Sequence, residues 1–375
     1  MSTTAAVMVV APELYAQDGG VQMYGRTLLR ALHTTLPDST SVLAFARNDR
    51  PGQIPPQARL LVTGCRSRSG VLSELRLSLA VLRAAWRTRP ALILSTHPQF
   101  APLIWLIGRL TGAATWCSCH GIDVWRLRPG LRRWALQRLD RLLPVSRFTR
   151  DQLQRQLGRR CPELVVLPNS FDAARFTPGP RPPHLLRRYG LQADQPVLFC
   201  LTRLSATDRY KRVDALIEAM PALLHRLPGL RLLIGGSGDD RNRLESVVQA
   251  RGLHHAVLFA GAIPDDELVD HYRLASVFAL PSEGEGFGIV FLEAMGCGCP
   301  VLAGDRDASP DPLADGAFGL LVDPRQPLAP PLLALLEGSG RALWFDPPGL
   351  SKAVADRFGF EALCGRLAEL LPAFP

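Results

Sequence analysis

Lysine is almost missing from this chain of 375 residues: Lys211 and Lys352 are the only two, and every other basic residue is Arg. Other scarcities exclude whole classes of function. No apolar run is long enough to span a bilayer, because the most apolar stretch, Phe100 to Cys119, is interrupted by Arg109. No basic segment followed by an apolar signal core opens the chain. The string G-x-G-x-x-G is absent, which argues against a dehydrogenase using a dinucleotide. No nucleic-acid-binding motif accompanies the net charge of +9, so nucleic acid is not expected as a partner. The eight cysteines are scattered, and Cys117/Cys119 and Cys297/Cys299 stand as Cys-x-Cys rather than the Cys-x2-Cys of zinc or redox sites. Reduced, buried thiols are the expectation, and with them a cytoplasmic protein.

What is present is apolar residue in quantity, 47% of the chain, enough to fill two medium domains. Short apolar strands alternate with amphipathic helices, the pattern of α/β domains. Charge is unevenly placed. Residues 1–180 hold 24 basic and 10 acidic groups, net +14, and the remainder holds 19 against 24, net −5. A first half so basic suits an anionic partner, such as a lipid pyrophosphate or an anionic membrane surface. The run Pro178 to Pro183, PGPRPP, reads as a linker. Domains are therefore expected at 1–178 and 179–355, followed by an amphipathic helix over about 356–375.

Along the first half, Ala5 to Ala11 reads as a buried strand, and Gly19 and Gly20 follow at the entry of a helix, where backbone can approach a phosphate. An ordinary βα turn would also use those glycines. Val42 to Ala46 and Ala58 to Val62 read as strands, and Ser73 to Arg87 as an amphipathic helix with Leu75, Leu79, Leu82 and Trp86 on one face. Strands ending at His97 and at His120 place both imidazoles where open sheets bind ligands, although a structural histidine is the plain alternative. Arg126 to Leu143 reads as a basic helix whose apolar stripe packs on the sheet and whose arginines reach a membrane surface. Ser146 is the expected cap of a helix over Arg147 to Leu157.

In the second half a strand ends near Arg203, and Lys211 follows before the next helix. A planar fork and a compact ammonium together suit a departing diphosphate; exposed loop charge is the alternative. The stretch Pro281 to Ala303, PSEGEGFGIVFLEAMGCGCPVLA, combines most of the chemistry. The strand Val277 to Leu280 enters a glycine loop with Glu283 and Glu285, a helix follows, and Pro300 to Ala303 leaves as a second strand. This is a crossover unit of a parallel sheet, with its loop and helix start where ligands sit. Glu285 and Glu293, eight residues apart, can offer acceptor oxygens to the hydroxyls of one sugar-bearing ligand. The amides of Gly288 and Ile289 can hold a phosphate. Solvated loop and helix acids are the alternative reading. The string Asp305-Arg306-Asp307 is too short a match to be read as a metal site.

The strings PSEGEGFG and LEAMGCGCPVLA, with the E-x7-E pair Glu285 and Glu293, resemble glycosyltransferase family 4. So do His120-Gly121-Ile122-Asp123, Pro168-Asn169-Ser170 with Ser for the family's Gly, and Arg203…Lys211-Arg212 with Arg for its Gly. The resemblance implies the GT-B fold, two Rossmann-like α/β domains facing across a cleft, with the last helix crossing back to the first domain. It implies a retaining transfer of a hexose from a nucleoside-diphosphate sugar to a lipid-linked or saccharide acceptor, without metal or other cofactor. Arg203, Lys211, Gly288 and Ile289 are then implied at the diphosphate, Gly19 and Gly20 opposite it, Glu293 at the ribose, Glu285 at the sugar, and Phe287 among the donor-binding residues. His120 is implied to orient the sugar. A peripheral position on the inner face of the cytoplasmic membrane is expected, with Arg132, Arg133 and Arg138 as acceptor or membrane contacts. Two rivals remain. A non-catalytic nucleotide-sugar-binding protein would keep the same residues, and a related epimerase or phosphorylase would keep the fold. A phosphorylase needs a pyridoxal-binding lysine, and Lys211 already has a phosphate role.

Overall fold

A computed structural model describes residues 6–16, 19–50 and 59–372; Ala5, Ala58 and the last three residues of the expected final helix lie outside them. The chain forms two compact units, Met1–Ser170 with Phe360–Pro375, and Phe171–Gly359.

In the first unit β1 (Ala6–Ala11), α1 (Gly20–Thr35), β2 (Ser41–Ala46), β3 (Leu60–Gly64), α2 (Gly70–Thr88), β4 (Leu92–Ser95) and α3 (Ala101–Thr111) follow in turn. Then come β5 (Ala114–Cys119), α4 (Ile122–Trp125), α5 (Leu131–Leu136), β6 (Arg141–Pro144), α6 (Arg147–Leu157) and the short β7 (Glu163–Leu164). The strands pair in parallel in the order β3-β2-β1-β4-β5-β6-β7. All six residues of β1 are buried, as a continuous apolar run requires when helices cover both sheet faces. Ser146 caps α6 as expected, its hydroxyl accepting from the Thr149 N–H at 3.1 Å.

Two helix expectations are corrected here. The continuous helix over Arg126 to Leu143 does not form. Pro129-Gly130, with Gly130 at φ 149°, interrupts it: α4 ends at Trp125 before its expected start, only α5 forms within its bounds, and Arg141–Pro144 joins the sheet as β6. In α2 the face turned to the sheet is Ser73, Leu77, Val81 and Ala85, while Leu75, Leu79 and Trp86 stand exposed.

The second unit contains α7 (Pro183–Tyr189), β8 (Val197–Leu201), α8 (Val213–Arg226), β9 (Arg231–Gly235), α9 (Arg241–Ala250), β10 (Val257–Gly261) and α10 (Leu268–Leu274). It continues with β11 (Val277–Leu280), α11 (Ile289–Gly296), β12 (Val301–Gly304), β13 (Leu320–Val322), α12 (Ala329–Leu336) and α13 (Pro347–Phe358). Its sheet is parallel throughout, in the order β10-β9-β8-β11-β12-β13. The last helix, α14 (Phe360–Leu370), belongs to the first unit. There Arg30 lies over the Phe360 ring at 4.3 Å and Arg141 donates to the Leu370 carbonyl at 3.1 Å.

The units divide at Ser170/Phe171 and not at the proline run, and α14 begins at Phe360 rather than near 356. Side-chain hydrogen bonds explain the first displacement. Arg273 donates to the Thr177 carbonyl at 2.9 Å, and Arg181 donates to Gln195 O at 2.6 Å and Ser276 Oγ at 2.7 Å. The proline-rich segment is thus tied into the second unit. All eight cysteines are free thiols, six of them buried.

Candidate active site

Each sheet has one point where strand order reverses from its starting strand, β1/β4 in the first unit and β8/β11 in the second. Loops leaving the carboxyl ends of such strands form ligand crevices. Arg203 leaves β8 and Glu285 leaves β11, so the second unit brings both to one such point.

Lys211 ends a tight turn, Ala206–Lys211, and its ammonium donates to the Glu285 carboxylate. Both side chains are largely buried, and the Tyr210 ring lies 5.5 Å from the ammonium. Burial pushes the Lys211 amine down to about 8, against the opposing pull of the Asp208 and Asp307 carboxylates. Arg203 donates through Nε and Nη2 to Asp208 at 2.8 and 2.7 Å, yet its side chain is 74% exposed. A ligand can therefore reach this guanidinium while Asp208 holds its orientation.

Arg212 occupies the place where the resemblance expects glycine, and it adopts the left-handed conformation at φ 59°, ψ 34°. Its guanidinium donates to Glu283 at 3.1 Å and to the Pro324 carbonyl at 3.2 Å. The turn is kept and its strain is offset by these contacts. Glu283 is taken up here, since Arg325 also binds it at 2.7 Å.

Asp307 organises the Glu285 loop from the β12 side. Buried to 3% exposure, it accepts the Glu285 N–H at 2.5 Å and the Ser309 N–H at 2.9 Å. Burial raises its carboxyl to about 6, and hydrogen bonds from Ser309 and Ser282 oppose that. The neighbouring Arg306 turns instead to Asp323 at 2.6 Å, so the D-x-D string splits between two environments. Among the described residues no group of three or more His, Cys, Asp or Glu is arranged to hold a metal ion.

Gly288, at φ 89°, starts α11, a conformation that strains any other residue; Ile289 is the first helical position. Phe287 points away from the loop surface, its buried ring edge-on to Phe358 at 5.8 Å, so it offers a ligand only backbone. Glu293 lies within α11, 4% exposed, and accepts the Tyr272 hydroxyl at 2.8 Å. Burial lifts its carboxyl to about 7.

In the first unit Gly19 precedes α1, where its carbonyl accepts the Met23 N–H at 2.9 Å, and Gly20 is the first helical residue. His120 follows β5. Its Nε2 is 2.8 Å from the Thr96 carbonyl, the Tyr24 ring meets it edge-on at 4.7 Å, and Asp123 accepts the N–H groups of His120 and Gly121. The ring is thereby held in one orientation at the end of its strand. His97 is a helix cap, its Nδ1 accepting the Gln99 N–H at 3.2 Å, and burial holds its pKa below the usual value.

Asp208 and Asp307 did not emerge as partners from the sequence. The signal was a carboxylate in each loop flanking the Glu285 loop, without anything in the spacing to join them.

Residues 185–339 match the model of the glycosyl transferases group 1, and residues 18–175 match that of glycosyltransferase family 4. The GDP-mannose-dependent alpha-(1-6)-phosphatidylinositol monomannoside mannosyltransferase of Mycolicibacterium smegmatis is 38% identical over 219 residues, 55% of this chain and 56% of that relative. The protein of the same description in Mycobacterium tuberculosis is 33% identical over 288 residues, 72% of this chain and 73% of the relative. Among solved structures, sucrose-phosphate synthase from Thermosynechococcus elongatus shares the fold, with a TM-score of 0.80 at 21% identity over 98% of both chains.

Proposed function

The chain belongs to glycosyltransferase family 4, with the GT-B fold, and we propose that it transfers a mannosyl group from GDP-mannose to a hydroxyl of a phosphatidylinositol-mannoside-type glycolipid. That it is a glycosyltransferase using a nucleotide sugar follows from the family. The choice of donor and acceptor is supported by the descriptions of its mycobacterial relatives. The observation that carries the chemistry is the buried Lys211–Glu285 pair beside the exposed Arg203 at the β8/β11 reversal.

In this reading the departing GDP gains one negative charge, on its terminal phosphate, as the sugar bond breaks. Arg203, Lys211 and the helix-start amides of Gly288 and Ile289 are assigned to that charge. Lys211, at about 8, remains mostly protonated at neutral pH and so stays a cation for this purpose. Glu285 is assigned to the hydroxyls of the mannosyl group and Glu293 to the ribose, each as an acceptor. His120 and the Gly19-Gly20 turn are assigned to the sugar and the donor phosphates from the first unit. Transfer proceeds with retention, the leaving phosphate taking the acceptor proton on the face where the new bond forms, with no covalent enzyme intermediate and no metal.

The test is product analysis with purified protein, GDP-mannose or UDP-glucose, and phosphatidylinositol monomannoside. A lipid heavier by one hexose with GDP-mannose supports the proposal. Transfer from UDP-glucose alone, or no lipid product from either donor, contradicts it.

A further inference from the structure

Gly284, in the loop after β11, has a backbone outside the left-handed region, so its torsions do not call for glycine. Space does. A Cβ at this position would stand 2.6 Å from Cδ2 of the Tyr210 ring, closer than side chains approach one another. Tyr210 belongs to the tight turn Ala206–Lys211 and is half-buried, its ring resting on the Gly284 backbone. Its carbonyl also accepts the Glu283 N–H at 2.8 Å. Side chain and main chain of one residue thus fasten the turn that carries Lys211 to the loop that carries Glu285.

The same ring lies 5.5 Å from the Lys211 ammonium. Charged and polar groups face that ammonium from the other elements: Glu285 from the β11 loop, Asp307 from beyond β12, Asp208 from its own turn, and Cys200 and Arg203 from β8 and its exit. Among these neighbours the ring is the apolar surface, and burial is the largest influence on the amine, holding it down at about 8. The Tyr210 hydroxyl donates to Asp208 at 3.3 Å, beside the Arg203 guanidinium that Asp208 also holds. Burial and the Asp208 charge push this hydroxyl up to about 12, so it stays a donor.

We infer that Tyr210 is a positioning residue, whose ring closes the Lys211–Glu285 pair off from water and sets it beside Arg203 for an anionic ligand. The inference rests on the assignment of Arg203 and Lys211 to the donor diphosphate. An ammonium kept from water acts on a phosphate through a lower dielectric, and so more strongly. With alanine at position 210 water enters beside the ammonium, and the turn loses its seat on Gly284. The cation then drifts from the spot where the phosphate is held.

The test uses the scarcity of lysine. The full chain grown with isotopically labelled lysine gives signals from two residues, Lys211 and the exposed Lys352, which reports any change outside the site. In a magnetic-resonance pH titration, wild type and Tyr210→Phe, which keeps the ring, are expected to share a Lys211 midpoint near 8. Tyr210→Ala, and Gly284→Ala, which pushes the ring off the loop, are each expected to raise it by about one pH unit, tenfold in proton affinity. In the Tyr210→Ala background, Gly284→Ala is expected to add nothing. Titrated with GDP-mannose, Tyr210→Phe is expected to match wild type, and the two alanine variants to bind about tenfold more weakly. An equal Lys211 midpoint in wild type and Tyr210→Ala overturns the inference, and Gly284→Ala decides the point if Tyr210→Ala does not fold. A raised midpoint with unchanged donor affinity overturns the positioning role. If wild type takes up no GDP-mannose, the donor reading fails, and the lysine midpoints still decide whether Tyr210 shields the pair.

Discussion

The Lys211 ammonium and the Glu285 carboxylate form an ion pair in which only 15% and 12% of the side chains remain exposed. Two charges so placed stabilise one another, and removal of either leaves the other buried and unpaired. Lys211→Met is expected to lower stability by about 3 kcal/mol. The double variant Lys211→Met/Glu285→Gln, which leaves no lone charge, is expected to recover part of that loss. Urea denaturation of the two variants beside wild type checks this. Equal loss in both would mean that the pair is not coupled.

Glu293 carries the clearest pH dependence. Its carboxyl is raised by burial from the ordinary 4.5 to about 7, so the folded chain holds a proton that the unfolded chain has released. Stability linked to this group is complete below pH 4.5 and is lost as pH rises through 7. Asp307, raised to about 6, acts with the same sign over a lower window. Glu293→Gln can still accept the Tyr272 hydroxyl through its amide oxygen. This variant is expected to melt on the order of a few degrees above wild type at pH 8, with the gap closing by pH 5. A gap independent of pH would remove Glu293 as its source.

Much of the second unit was legible because its chemistry is local. Glu285, Gly288 and Glu293 sit within one strand-loop-helix segment, and the E-x7-E spacing places the second acid inside α11. Asp307 was not legible, because its partner is the backbone N–H of Glu285, 22 residues away, and its neighbour Arg306 leaves for Asp323. In the first unit, apolar periodicity marked α2 as amphipathic but not which stripe faces the sheet. The helix buries Ser73, Leu77, Val81 and Ala85, and leaves the bulkier Leu75 and Trp86 outside. Periodicity also ran through Pro129-Gly130, where backbone geometry stops the helix.

Asp307 ties the loop carrying Glu285 to the exit of β12, without being assigned a ligand contact. Asp307→Ala frees that loop and leaves the Glu285 N–H without its acceptor. Turnover is expected to fall by about a hundredfold, the scale of a displaced positioning group. Asp307→Asn, which keeps an acceptor oxygen, is expected to recover most of the rate. Steady-state kinetics of both variants decide this, and equal rates for Ala and Asn would deny the positioning role.

Arg212 holds φ 59° in the turn after Lys211. Arg212→Gly relieves strain of about 1 kcal/mol and loses the Glu283 contact, so a net change within about 1 kcal/mol is expected. Arg212→Val, β-branched in the same conformation, is expected to destabilise by more than that. Thermal unfolding of the two variants separates the effects. A tolerated valine would show that the turn can open.

Calorimetric titration of GDP-mannose into wild type, Arg203→Ala and Lys211→Ala tests the central assignment most directly. The account requires that wild type bind the donor and that each variant bind it at least about tenfold more weakly, the loss of one charged hydrogen bond. Wild type that takes up no GDP-mannose, or variants that match it in affinity, would contradict the placement of the diphosphate at Arg203 and Lys211.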